Sequence, residues 1–447
     1  MARSNGPGRE ARRTNLWLLP SLMVAGAVVL FAATYAVDRA AADGTIHLPG
    51  VLNNDSADAA RQVLIGISAA VITVAGVVFS ITILALQLAS QQFGPRMLRN
   101  FIRDRGTQAS LGAFVATFTF SILTLGSVSS RFVPELSTGT ALALTLGSVG
   151  VLIYFIHHVA LTIQLTSVVS SIAGDFQSTV AELFSESDHF DRGQPEAGLS
   201  VPELMSRLAT DGATLPAAAS GFLQAVGHDR LIGIAAKSNA AIRLLNRPGH
   251  FLVAGRPLAV VWPADAAPAI ARALRRAQVI GPHRTLTQDL GFAADQLVEI
   301  ALRALSPAVN DTFTALNCID WLGDGLCKVS ARPLPDGIYR DRHGYVRLID
   351  PVITYPRLVK GAFDKIRQAA RGMPAVYIRQ LQNLEKIMQY VCAVDQCDVL
   401  REHAEMILRA SDESVPEKND RLDVLAAYER VLKARQEAAA FTGPSLP

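Results

Sequence analysis

Four stretches of this chain, residues 15–37, 62–90, 108–128 and 138–165, contain no Asp, Glu, Lys or Arg. Each is long enough for an α-helix to cross the hydrocarbon core of a bilayer, which takes about 20 predominantly apolar residues. Backbone N–H and C=O groups have no water to bond within that core, so each run must satisfy them along its own length and is expected to be helical. Helices of a soluble core would have to recur four times at spanning length, which is the less economical explanation. The composition agrees, since half of the 447 residues are apolar and 18% are charged, against about 25% charged in ordinary soluble domains. The expected fold is membrane α-helical, with four transmembrane helices and a C-terminal cytoplasmic α+β domain.

The first run exceeds the apolar core of a secretory signal, which is only about 7–15 residues. Arg12-Arg13-Thr14-Asn15-Leu16 faintly resembles a twin-arginine leader, but the segment is read as an uncleaved anchor. Cytoplasmic loops collect Lys and Arg. Arg3, Arg9, Arg12 and Arg13 precede span one and Arg96, Arg99, Arg103 and Arg105 follow span two, whereas the opposite loops hold Arg39, Arg61 and Arg131. Eight arginines against three place both termini on the cytoplasmic side of a bacterial inner membrane.

Through residue 165 there are 11 bases, all arginine, and 7 acids, and the remainder holds 31 bases and 32 acids. A nucleic-acid-binding region should be biased towards positive charge, and this one is neutral, so no nucleic-acid partner is expected. Cys318, Cys327, Cys392 and Cys397 fall in the region read as cytoplasmic, where thiols stay reduced. None lies in a CxxC pair and no His stands at zinc-finger spacing, so no metal or other cofactor is expected.

Ionisable residues at membrane depth mark ion or proton paths. The four runs offer only His157 and His158, near the end of the fourth, read as interfacial anchors beside Tyr154. In span two, Thr73, Gly76, Ser80, Gln87 and Gln91 are spaced so that they share one helical face. A small and polar face lets helices pack closely, or lines a water-filled pore if it lies near the axis of a homo-oligomer. After it, Gly94-Pro95 interrupts the helix, and Met97, Leu98, Phe101 and Ile102 recur on one side of a short segment. Residues 91–107 are therefore expected to form an interfacial helix, with Arg96, Arg99, Arg103 and Arg105 against anionic lipid headgroups.

Beyond residue 165 the pattern Ile172, Phe176, Val180, Leu183, Phe184 prolongs the last span as a helical extension. Residues 187–218 read as a linker with one short helix over 201–208, and residues 219–350 as an α+β domain. Within it, residues 247–262 look like two strands around a Gly-containing turn and resemble the half-repeat of lipoyl-like domains, without the carrier lysine. Ser306-Pro307 stops a helix and Asn310 or Asp311 caps the next. A second hairpin turns about residues 341–344. Residues 351–447 form a helical region with three amphipathic helices, near 375–392, 399–410 and 418–440.

Residues 85–99, followed by Phe101 and Asp104-Arg105, resemble a hallmark of the domain of unknown function 2254, a bacterial group of predicted integral membrane proteins. A second hallmark comprises Arg284, Gln288, Asp289 and Phe292, followed by residues 304–315 with Ser306, Pro307, Asn310 and Asp311. The resemblance covers most of the chain and implies membrane placement. It assigns no activity, so these motif residues carry no known role. The sequence departs from the family pattern at Ala308 and Thr312, where Gly and Pro are expected.

An enzyme would have to be built from Asp289, Ser306, Asn310, Asp311 and His283 or His343, but no nucleophile elbow, Walker loop or HExxH motif links them. No catalytic residue is assigned. The preferred expectation is a homo-oligomeric channel-like or passive transport protein with a cytoplasmic gating domain. The alternative is a non-transporting membrane scaffold or sensor whose cytoplasmic domain binds a partner or ligand.

Overall fold

The computed structural model describes residues 17–43, 57–93, 104–130, 132–162, 165–190 and 197–441. The chain divides into two compact units, Met1–Ser167 and Val168–Pro447.

The first unit consists of four helices long and apolar enough to cross a membrane, α1 Leu18–Ala42, α2 Ala57–Phe93, α3 Arg105–Ser127 and α4 Glu135–Thr162. They correspond to the four uncharged runs, but each overshoots its run into polar sequence at an end. Asp38 and Arg39 lie in the last turns of α1, and Arg61 lies near the start of α2. Arg105 opens α3, with Asp104 as its N-cap accepting from the Thr107 N–H. It therefore does not belong to a separate interfacial helix. Arg96, Arg99 and Arg103 lie outside the described residues.

Helix α3 is the most enclosed of the four. Phe114 packs with Ile67, Val71 and Val78 of α2 and Phe155 of α4, and Phe120 with Ala27 of α1 and Leu64 of α2. Its small and hydroxyl residues allow close approach, as membrane helix interfaces require. A Cβ at Gly112 would stand 2.6 Å from the Met23 sulfur and 3.1 Å from the Pro20 backbone. Thr117 and Ser148 share a 3.2 Å hydrogen bond between α3 and α4.

At one end of the bundle Asp38 caps α4. Its carboxylate accepts the Leu136 and Ser137 N–H groups at 2.9 and 3.0 Å and the Ser137 hydroxyl at 2.6 Å, while that hydroxyl lies 3.0 Å from Thr34 Oγ1. The carboxylate thus meets exposed N–H donors at the positive end of a helix. At the opposite end Asp104 Oδ2 lies 2.8 Å from His158 Nε2, and His158 stacks on Tyr154. His158 therefore ties α4 to the start of α3, a more specific role than anchoring, while His157 is exposed.

The second unit opens with α5 Leu165–Phe190, whose buried Ile172, Phe176 and Val180 follow the spacing anticipated for the extension. Phe176 covers Gly325, where a Cβ would stand 2.0 Å from the ring. The stretch read as linker carries α6 Val201–Asp211 and β1 Ala213–Pro216. Both join the core, because Leu204 and Leu208 of α6 pack on Ala241 and Val346. There follow β2 Gly221–Val226, α7 His228–Lys237, β3 Ala241–Leu244, β4 Phe251–Leu252, β5 Pro257–Trp262, α8 Ala267–Ala277, β6 Gln278–Gly281, α9 Leu290–Ala304, α10 Thr312–Ser330, β7 Ile338–Arg340 and β8 Val346–Ile349.

The strands form a five-stranded sheet ordered β1-β5-β3-β8-β7 and a three-stranded sheet ordered β4-β2-β6. Among the described strands only β3 and β8 pair in parallel, with Ile242 opposite Leu348. Successive residues of a strand face opposite sides: Ala241 and Val260 meet α6, while Ile242 and Val261 join Leu231 of α7 and Ile270 of α8 in the main core. The turn at Gly255 does connect two strands, but they do not form a hairpin with each other. β4 pairs with β2, and β5 with β1 and β3. A lipoyl-like half-repeat is therefore not the local structure. The second hairpin, β7 with β8, forms about residues 341–344. Helices α11 Tyr355–Ala369, α12 Pro374–Met388, α13 Val394–Ser414 and α14 Lys418–Phe441 complete the unit. Cys318 is buried within it, and desolvation pushes its thiol up to about 12, as expected of a small apolar core residue.

Candidate functional site

The second hallmark segment builds a rigid corner in front of α9. Gln288 has φ +57, and from that left-handed position its amide clamps the β2 backbone. Nε2 donates to the Val226 carbonyl at 3.1 Å, and Oε1 accepts the Val226 N–H at 2.9 Å. Asp289, 1% exposed, is the N-cap of α9 and accepts the Phe292 N–H at 3.0 Å. Arg284 grips the same carboxylate with both prongs, Nε to Oδ2 at 2.8 Å and Nη2 to Oδ1 at 3.0 Å, and donates through Nη1 to Asp295 at 2.8 Å. Such bidentate, charge-assisted pairing is the strong form of the contact. The Pro248-Gly249 turn lies directly against it. Gly249 has φ +92, and a Cβ there would stand 2.2 Å from Asp289 Oδ2, so only glycine fits.

That turn places Arg247 on the wall of a cavity of about 90 Å³. The other polar walls are Thr179 and Glu182 of α5, His228, at the start of α7, Gln288, Tyr339 of β7 and Asp350, just after β8. Prolines 248, 335 and 351, with Leu290, Leu334, Val352 and Ile353, make the remainder of the lining mostly apolar. His228 Nε2 lies 2.9 Å from Asp350 Oδ2, both side chains are 6% exposed, and the imidazole stacks on Tyr339 at 4.6 Å between ring centres. The second oxygen, Asp350 Oδ1, is buried and has no hydrogen-bond donor among the described residues. Arg247 is half-buried, and among the described residues no acceptor lies within hydrogen-bond distance of its guanidinium.

The electrostatics follow from this crowding. Burial lowers the proton affinity of Arg247; Asp289 and Asp350 oppose that shift, and Arg357 and Arg284 add to it. Burial, then Arg247 and Arg357, likewise hold the His250 imidazole below its ordinary value. Burial is thus the leading cause at both groups, and the charges around them are of both signs.

Of the hallmark residues, the structure brings Gln288 to the cavity and Arg284 and Asp289 behind its wall. Ser306, Pro307, Asn310 and Asp311 lie elsewhere, in the α9–α10 connection. The Ser306 hydroxyl donates to the Arg303 carbonyl at 2.7 Å, Asn310 takes φ +51, and Asp311 caps α10 by accepting the Thr314 N–H at 3.1 Å. This is the helix stop and cap that the residue types imply, formed with Asn310 as the left-handed residue. Arg247, His228 and Asp350 had no sequence signal as a group, because no spacing links three residues brought together by a parallel strand pairing. The one local cue was the Arg-Pro-Gly-His turn between apolar strands.

In the first unit Thr73, Gly76, Ser80 and Gln87 share an exposed face of α2, opposite the buried Val71, Ala75 and Val78. Thr73 and Ser80 hydroxyls donate back to the Ala69 and Gly76 carbonyls, and no atom lies within 4 Å of a Cβ at Gly76. This stripe does not pack against the chain's own spans. Gln91 is in α2, but its side chain lies outside the described residues.

Among the described residues no group of three or more His, Cys, Asp or Glu is placed to hold a metal ion. Uncharacterised proteins of Mycobacterium tuberculosis and Mycobacterium bovis are each 34% identical to the chain over 396 residues, which cover 86% of this chain and 74% of theirs. No solved structure matches it. Residues 13–386 match the family described as predicted membrane protein (DUF2254), and with four spanning helices in that stretch the chain belongs to this family.

Proposed function

We propose that the chain is a membrane-anchored, non-catalytic binding protein, a sensor in kind, whose α+β unit takes up a small ligand in the Arg247 cavity. The observation that carries this reading is a cavity in which Arg247, His228, Gln288, Tyr339 and Asp350 converge within a mostly apolar lining. Pockets with a few convergent polar groups in an apolar lining are where proteins bind small molecules. A fragment screen by ligand-observed NMR on the full chain in lipid nanodiscs tests it. Hits should compete for one site and disappear when Leu334→Trp or Val352→Trp fills the cavity. Hits that bind the filled variants as well as the parent would sink the reading.

The orientation supported by the arginine distribution puts both termini, and with them the α+β unit, in the cytoplasm of a bacterial inner membrane. A reporter fused after residue 447 that is active only on the far side of that membrane would refute this.

One observation favours a second reading. The small and polar stripe of α2 faces away from α1, α3 and α4, as it would if copies of the chain met through it around a path for solutes. The mass of the detergent-solubilised protein and its conductance in bilayers, with and without Gln87→Leu and Ser80→Leu, decide this. A monomer or a silent oligomer would end the channel reading, and a conducting oligomer indifferent to both substitutions would remove only α2 from the path.

A further inference from the structure

We infer that the turn between α9 and α10 is a membrane-contacting wedge, with Val309 and Phe313 seated in the headgroup–acyl boundary of a lipid bilayer.

The turn presents apolar surface that the core of its own unit does not claim. Phe313, in the first turn of α10, is 85% exposed, more than any other large apolar side chain among the described residues, those of the spans included. Pro307, Ala308 and Val309 are exposed as well, whereas Leu305 and Ala315 on either side are buried. Single apolar residues scattered over a surface need no explanation, but neighbours gathered on one projecting turn form a patch that something covers.

The backbone of the turn is suited to a place with little water. The Ser306 carbonyl accepts the Val309 and Asn310 N–H groups at 3.0 and 2.9 Å, and the Asp311 N–H reaches the Ala304 carbonyl at 2.8 Å. Pro307 has no N–H to satisfy. These donors therefore stay paired when lipid replaces water around them. Asp311, spent on the Thr314 N–H and hydroxyl, confines the contact to the interface, because ionisable groups are costly at greater depth.

The direction of α5 points to lipid as the occupant. Phe176 of α5 covers Gly325 of α10, Gln177 Nε2 donates to Asp324 Oδ2 at 2.7 Å, and the Arg332 guanidinium lies 5.8 Å from the centre of the Phe184 ring. Later residues of one helix thus meet later residues of the other, so the two run in parallel. Counted back from that contact at about 1.5 Å per residue, Phe313 lies about 18 Å along α10 and Leu165 about 16 Å along α5. The turn and the start of α5 are therefore at the same end of the unit. The chain enters at that end, and α5 begins only three positions beyond Thr162, the last residue of the spanning helix α4. The apolar turn accordingly stands at the end tethered beside the bilayer surface. Tyr390, also exposed, stands at the opposite end, since the nearby Cys392 N–H donates to the carbonyl of Ser330, the last residue of α10.

These two exposed positions supply the test. The full chain carrying Phe313→p-benzoylphenylalanine or Tyr390→p-benzoylphenylalanine is reconstituted in vesicles of phosphatidylethanolamine and phosphatidylglycerol and irradiated, and its intact mass is measured. Both side chains are largely exposed, so neither exchange disturbs the core. Lipid adducts should be about tenfold more abundant from position 313 than from position 390, the preference expected of one aromatic ring buried in an apolar medium over one left in water. The same cross-linker at Val309 should also capture lipid, and less of it when Phe313→Ser removes the larger anchor. Equal yields from positions 313 and 390, or no lipid adduct from either, would overturn the wedge. So would a cross-linked dimer in place of the lipid adduct, which would mean that a second copy of the chain covers the turn.

Discussion

Asp289→Ala should lower the unfolding free energy of the α+β unit by about 3–5 kcal/mol, the usual consequence of removing one partner of a buried ion pair. The carboxylate is 1% exposed and bonds the Arg284 fork and the Phe292 N–H in the first turn of α9 together. Its loss removes two hydrogen bonds from the guanidinium and one from the Phe292 N–H at once. Arg284 is 23% exposed and keeps Asp295, so water and the second acid soften the effect towards the lower end of that range. Asp289→Asn retains an acceptor for the Phe292 N–H and should fall between parent and alanine. Denaturant unfolding of the full chain in detergent, followed by a double-mutant cycle with Arg284→Ala, measures both the total and the pairwise share. A change for Asp289→Ala smaller than about 1 kcal/mol would mean that the corner is not held as described, since that is the range of an exposed pair.

Asp38→Ala should destabilise the four-helix unit by about 2–4 kcal/mol, combining a lost N-cap with lost charge-assisted hydrogen bonds. Asp38 is buried and accepts three hydrogen bonds from the start of α4. The Leu136 and Ser137 N–H groups stand in the first turn of α4, where no carbonyl of the helix can replace the carboxylate. Asp38→Asn, which preserves an acceptor, should recover part of the loss. Unfolding in mixed micelles of mild detergent and dodecyl sulfate gives the comparison, and equal stability of alanine variant and parent would show that the cap is dispensable.

The membrane helices were legible because length and lack of charge suffice to mark them, and their cores follow the 3.6-residue period. What the runs concealed was where they end. Asp38 belongs to α1 because its charge is absorbed by the N-terminus of another helix almost a hundred residues away, a partner that no window around Asp38 contains. The stripe on α2 was legible as a stripe, but not its direction: packing within the bundle uses Gly112, Thr117 and Ser148 on and against α3 instead. In the second unit the stop and cap at residues 306–311 are local chemistry and were readable as such. The hairpin expected around Gly255 was misleading, since a turn signal fixes a change of direction and not which sheet each strand joins. Arg284 and Asp289 stood out as motif residues, but their pairing and their service to the Arg247 turn depend on tertiary contact.

The parallel pairing of β3 with β8 has a consequence for the order in which this protein matures. His228 and Arg247 emerge with the strands around β3, whereas Asp350 arrives only when β8 docks, after α9 and α10 have been laid down between them. Closing so long a segment carries an entropic penalty that local contacts do not, so the pairing belongs to the slow, late part of folding. Until then β3 presents an open edge able to recruit a foreign strand. The cavity thus exists only in a chain whose α+β unit has finished folding, and occupancy of that cavity would act as a seal on the final strand.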